Sequence, residues 1–201
     1  MKDTYKTLAG PSEGIFKDKG SKFIAYAFPV TGEEKVKTIL EEIRKEHHKA
    51  RHHCYAWRIG TGEISYRAND DGEPSSTAGK PILGQLLSHE LTNTLVVVVR
   101  YFGGTLLGVS GLINAYKNAT AEAIRKNKIL VKKIETTFEI RFPYPLLNEV
   151  MQIIKSENIN TVFTDFRESC LIRFTVRKGE AKRIESIFTR LFGVDIKKIT
   201  G

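Results

Sequence analysis

Only two cysteines occur in the 201 residues, Cys54 and Cys170, and they are far apart with no paired spacing. That scarcity argues against both a disulfide framework and a zinc knuckle. Long apolar runs are missing too. The longest aliphatic run, LVVVV at 95–99, is far shorter than the roughly 20 residues a membrane-spanning helix needs. The first residues, MKDTYKTLAGPSEG, lack the apolar segment of a signal peptide. These absences predict a cytoplasmic protein with no membrane segment. Acidic residues are in the minority, with 23 Asp and Glu against 32 Lys and Arg, a net charge of +9. The excess is uneven: residues 1–133 hold 21 basic and 14 acidic side chains, so +7 of the +9 lies there. Such a balance favours polyanionic partners, nucleic acid first among them, although a modest basic excess also serves solubility.

Three sequence look-alikes fail on spacing. The loop DDGEPSSTAGKP (70–81) ends in a Gly-Lys pair, but six residues separate Gly72 from Gly79 and Pro81 follows Lys80. A phosphate-binding P-loop needs four intervening residues and then a hydroxyl for magnesium. His89-Glu90 opens a zincin-like helix with no second histidine. Ser110, between Gly108 and Gly111, is one residue short of a nucleophile elbow. His52, His53 and Cys54 resemble a metal cluster, yet strand neighbours face opposite ways and further ligands are not apparent. No metal and no cofactor are implied.

Periodicity divides the chain in two. KFIAYAFPV (22–30) reads as a strand, and Thr31 with Glu34 offers a capping box for an amphipathic helix to about His47. Residues 53–59 and 64–68 form a hairpin through Gly60 and Gly62. Leucines and isoleucines from Ile82 to Leu91 mark a helix from about Gly79. Residues 94–102 read as a strand buried on both faces, followed by a helix from about Ser110 to Asn127. The pattern then restarts. A strand at 134–142, a helix opened by Pro145, a hairpin at 160–166 and 170–176, a helix at 179–192 and a strand at 194–199 follow. That order, β-α-β-β-α-β, is the ferredoxin-like plan. The fold class is therefore α+β in two domains, 1–130 and 131–201.

Two loops of the first domain carry the chemistry. Ser75, Ser76 and Thr77 lead through Gly79 and Lys80 into a helix; a hydroxyl there serves as a plain cap, but three hydroxyls, the exposed N–H groups of 75–79 and Lys80 together are expected to hold phosphate. The second loop runs from Arg100, whose guanidinium suits a bidentate phosphate contact. Gly103 and Gly104 there permit a tight turn or a close backbone approach to a ligand. Tyr101 and Phe102 fit either stacking on a base or a place in the core. Arg51, His53, Arg58 and Arg67 are candidate flanking contacts, of which strand alternation lets about half face one site. An alternative uses Asp70, Asp71 or Glu73 as a general base, against the plainer reading of turn chemistry.

The run from Gly79 to Leu83, the strand Leu95–Val99, Arg100 to Gly104 and Leu107-Gly108 closely resemble the signature of the Impact family, in its bacterial YigZ-like branch. Arg51 to Ala56 and Asp71 to Gly79 also look like that family. The resemblance implies a first domain like domain 2 of ribosomal protein S5 and a second like the late domains of elongation factor G. Eukaryotic members regulate translation by contacting a kinase activator through an extra RWD domain. This sequence starts almost at the Impact domain, so that partner contact is not expected. What remains is a non-catalytic RNA- or ribosome-associated protein acting on translation. The rival is an enzyme for a small phosphorylated or carboxylated substrate that uses the 70–80 loop. A third reading is a docking module that meets another protein through the C-terminal sheet. The oligomeric state stays open.

Overall fold

In the computed structural model, the chain opens with strands β1 (Thr4–Leu8), β2 (Ser12–Asp18) and β3 (Ser21–Pro29). Helix α1 (Glu33–Glu46), the hairpin β4 (His52–Ile59) and β5 (Ser65–Asn69), α2 (Gly79–Ser88), β6 (Thr94–Tyr101), α3 (Gly108–Arg125) and β7 (Ile129–Lys133) follow. The remainder is β8 (Glu135–Phe142), α4 (Leu147–Ser156) after a 3-10 turn, β9 (Asn160–Asp165), β10 (Cys170–Arg177), α5 (Ala181–Thr189) and β11 (Asp195–Ile199). Residues 3–167 and 169–199 are described. The chain divides into two units, Tyr5–Lys132 and a second that joins the first four residues to Lys133 and beyond.

The larger unit is built on a five-stranded antiparallel sheet in the order β2-β3-β6-β4-β5. β6 lies at its centre, and Leu95 to Val99 have no exposed surface. Side chains alternate along a strand, so this unbroken run feeds two cores. Leu95, Val97 and Val99 pack with Val36, Ile39, Leu40 and Ile43 of α1 on one face. Val96 and Val98 pack on the other, with Ile82 and Leu86 of α2 and Leu112, Ala115 and Tyr116 of α3. Each helix presents apolar positions three and four apart, as burial of one face requires. Gly14 of β2 sits against α3 so closely that an added Cβ would lie 2.2 Å from the backbone nitrogen of Ala123.

The capping box expected for α1 does not form. The cap position is Gly32 in an extended conformation without a side-chain bond, and Glu33 and Glu34 in the first turn complement the helix dipole instead. The strands β1, β2 and β7 were not foreseen either. β1 pairs with β7, a partnership between segments more than a hundred residues apart that local periodicity does not encode.

The smaller unit carries β8-α4-β9-β10-α5-β11 on a four-stranded antiparallel sheet in the order β11-β8-β10-β9. Phe138, Phe174 and Phe188 stack at its centre with ring centroids 5.3–5.7 Å apart. Ile140, Val150, Ile172 and Ile184 complete that core.

Candidate anion-binding site

The loop between β5 and α2 is organised by one carboxylate. Asp70 Oδ1 accepts the backbone N–H of Ala78 at 3.0 Å and of Gly79 at 2.8 Å, and Oδ2 accepts that of Ser76 at 2.9 Å. The start of α2 is thus capped by a residue eight positions upstream, not by the hydroxyls next to it. Thr77 is buried and donates to the Pro74 carbonyl at 2.6 Å, while Ser75 and Ser76 are exposed. Lys80 is exposed as well. Gly79 is a glycine because a Cβ would lie 2.6 Å from the backbone nitrogen of Asn69.

Asp71 is equally committed. Its Oδ2 accepts the His53 backbone N–H at 2.7 Å, and its carbonyl accepts a hydrogen bond from His52 Nδ1–H at 2.8 Å. A carbonyl only accepts, so Nδ1 of His52 carries hydrogen and Nε2 holds the lone pair of the neutral ring.

Glu73 lies deeper. Its Oε1 receives Arg100 Nη1 at 2.7 Å and the Tyr116 hydroxyl at 2.8 Å. Burial pushes both the Tyr116 phenol and the neighbouring Cys54 thiol well above their ordinary ranges, so both stay protonated. The Cys54 sulfur is 2.9 Å from the Asp70 carbonyl and 3.3 Å from the Tyr116 oxygen. The three acids considered as general bases are therefore held in bonds to the protein's own backbone and side chains.

Beside this buried network is a cavity of about 820 Å³. It opens where β6 ends and α3 begins. Lys49, Arg51 and His52 border it from the α1–β4 connection, Glu73 and Pro74 from the loop, and Arg100 to Phe102 from the end of β6. Leu106 to Val109 and Leu112 complete the wall. His52 and Arg100 face each other in the β4–β6 register, which puts their side chains on one face of the sheet. No side chain caps the start of α3 at Leu107–Gly108, and that uncapped start lines the same cavity as Lys49 and Arg51.

The sequence-chosen residues distribute unevenly around this space. Arg51 and Arg100 border it. His53 alternates to the opposite face, where Nε2–H donates to the His47 carbonyl at 3.2 Å and burial lowers its pKa from 6.5. Arg58 donates to the Leu91 carbonyl at 2.7 Å, and Arg67 is exposed on the edge strand β5. Gly103 makes a close backbone approach, but to its own chain: a Cβ there would lie 1.9 Å from the Gly20 carbonyl carbon. Gly104 has φ +88 in open space and serves the turn. Ser75 to Lys80 do not border the cavity. Lys49 and His52 do, and went unselected; the basic run HKARHH at 48–53 was their only local signal. Behind the cavity, Tyr101 bonds His47 Nδ1 at 2.9 Å, and His47 Nε2 meets Tyr26 at 2.8 Å. Burial, with Glu13 and Glu46 nearby, raises the Tyr26 phenol to about 12.

Fold and site together define a two-unit α+β protein whose larger unit carries a cation-flanked cavity at one end of an antiparallel sheet. Residues 19–124 match the Impact N-terminal domain. The chain is 35% identical over 167 residues to IMPACT family member YigZ of Escherichia coli (strain K12), covering 82% of each chain. It is 30% identical over 191 residues to IMPACT family member YvyE of Bacillus subtilis (strain 168), covering 95% of this chain and 88% of that one. A crystal structure of a hypothetical protein superposes over 100% of this chain and 99% of its own, with TM-score 0.71 and 29% identity. The chain belongs to the IMPACT family, alongside its YigZ-like bacterial members. Among the described residues no helix is long and apolar enough to cross a membrane.

Proposed function

We propose that the cavity is an anion site for phosphate groups of RNA, and that the protein is a non-catalytic RNA- or ribosome-associated factor acting on translation. The observation that carries this reading is the meeting of Lys49 and Arg51 with the uncapped start of α3 around one cavity. Cations and free N–H groups at a helix start are what a phosphate needs. The charge of residues 1–133 would draw a polyanion toward it over a longer range. We read the larger unit as related to domain 2 of ribosomal protein S5. The smaller is read as ferredoxin-like in the manner of elongation factor G, a reading its strand order supports. Both analogies make the ribosome the first partner to try.

The test is titration with ribosomal RNA and intact ribosomes over a range of salt. Binding should weaken steeply with salt as counterions are released, with the log–log slope falling by about 0.7–0.9 for each phosphate contact removed. Lys49→Glu with Arg51→Glu should abolish most of the binding. Lys80→Glu, away from the cavity, should change it little. Equal binding by all three proteins would reject the site.

The second reading, an enzyme for a small phosphorylated or carboxylated substrate, is favoured by one observation. His52 has its tautomer set by the Asp71 carbonyl and borders the cavity, the arrangement of an oriented general base. A thermal-shift screen against phosphorylated metabolites separates the two, because a tight ligand stabilises the fold by mass action. Turnover of a hit, lost in His52→Asn, would favour the enzyme.

A further inference from the structure

The cavity has two chemically different walls, and we infer that it takes a single nucleotide unit, with the base on Phe102 and the phosphate against Arg51 and the start of α3. This rests on the anion-site reading and narrows it to a ligand.

The base wall is a braced aromatic. Phe102 is 54% exposed, unusual for a phenylalanine in a folded domain. The Arg100 guanidinium sits 5.5 Å from its centroid and equally far from that of Phe23. Arg100 is itself held by Glu73 at 2.7 Å. Phe23, Arg100 and Phe102 therefore form a layered stack anchored in the core, whose outermost member faces the cavity and solvent. Leu106 and Val109, 83% and 60% exposed, extend the same wall. An exposed aromatic fixed by a cation behind it is a stacking platform that loses little freedom when a base arrives.

The phosphate wall carries Lys49 and Arg51, both exposed, and the first turn of the 18-residue α3. Arg100, only 7% exposed and bordering the same cavity, ties the two walls together: its guanidinium backs Phe102 and is held by Glu73 at 2.7 Å. The volume of about 820 Å³ lies in the range of small-molecule sites, about 300–1,000 Å³. It is a bounded hollow for one unit of a chain or a free nucleotide, and no track for a long strand is required.

Calorimetric titration of the full chain with adenosine 5′-monophosphate, adenosine and inorganic phosphate tests this. The nucleotide should bind at least about 10-fold more tightly than either fragment, since each fragment meets only one wall. Phe102→Leu keeps the apolar surface and removes the aromatic face; it should weaken nucleotide binding by about 5- to 100-fold, the worth of one base–aromatic stack. Both Phe102 and Arg51 are exposed, so unchanged melting temperatures will confirm that the variants fold. Phosphate binding as tightly as the nucleotide, or full affinity in Phe102→Leu, would overturn the inference. If ribosomal RNA binding is lost in Arg51→Glu while the nucleotide does not bind, the anion site stands and the nucleotide assignment falls. If RNA and nucleotide binding both ignore Arg51→Glu, both fall.

Discussion

Arg100 and Glu73 form a buried ion pair at 2.7 Å, with side chains 7% and 3% exposed. The bond ties the end of the central strand to the loop ahead of α2, and Tyr116 of α3 joins it through the same carboxylate oxygen. Removing one member strands a charge away from water. Glu73→Ala is expected to cost about 3–5 kcal/mol. Replacing both, as Glu73→Leu with Arg100→Met, should restore much of that loss, because no unpaired charge remains. Urea unfolding of the two variants checks the order, and a double variant weaker than the single one would refute it.

Asp70 holds three backbone N–H groups. Asp70→Ala leaves those at Ala78 and Gly79 without an acceptor in buried surroundings, at about 1–3 kcal/mol for each group left unmade. Hydrogen exchange should accelerate first at Ser76, Ala78 and Gly79. Asp70→Asn, which retains one carbonyl oxygen for Ala78 and Gly79, should lose less.

Gly103→Ala and Gly104→Ala separate packing from turn geometry. The first forces a methyl group into the Gly20 backbone and should destabilise by about 1–3 kcal/mol, the usual cost of overpacking. The second places alanine at φ +88 in open space, a backbone strain of about 1–2 kcal/mol. Thermal melts of the two variants would show the difference, and a neutral Gly103→Ala would mean that the β2–β3 turn moves freely.

His53 gives a pH dependence with a definite sign. Burial lowers its pKa below the ordinary 6.5, so the unfolded chain takes up the proton at a higher pH than the folded one. Its contribution is complete above pH 6.5. It is lost as pH falls from there through the folded-state value. His53→Gln, which retains a donor for the His47 carbonyl, should flatten this part of the stability profile. A folded-state pKa above 6.5, measured by proton NMR, would reverse the sign.

Both thiols are buried, and burial raises the pKa of each. The native protein should therefore resist a thiol reagent near neutral pH, and both cysteines should react once it is unfolded. Rapid labelling of the native protein at Cys54 would mean that the network with Tyr116 opens readily.

Much of this architecture was legible because it depends on local pattern. The aliphatic run at 95–99 is an inner strand because five consecutive apolar residues must be covered on both faces. α1 and α2 show their buried stripe in the spacing of Ile39, Leu40 and Ile43 and of Ile82 and Leu86. The second unit's order of elements is readable for the same reason. β2 was not, since its residues mix Ile15, 39% exposed, with a glycine that exists to admit α3.

The sequence by itself determined every helix and the strands other than β1, β2 and β7, and that the first 133 residues carry most of the positive charge, because period and charge are properties of neighbours along the chain. Tertiary structure alone decided which charges are free. Asp70 turned inward to cap α2, Arg100 was claimed by Glu73 from 27 positions away, and Lys49 and His52 were brought to the cavity instead of Lys80. A buried charge must find its partner wherever the fold supplies one, and that pairing is settled by distance in space, which residue order does not contain.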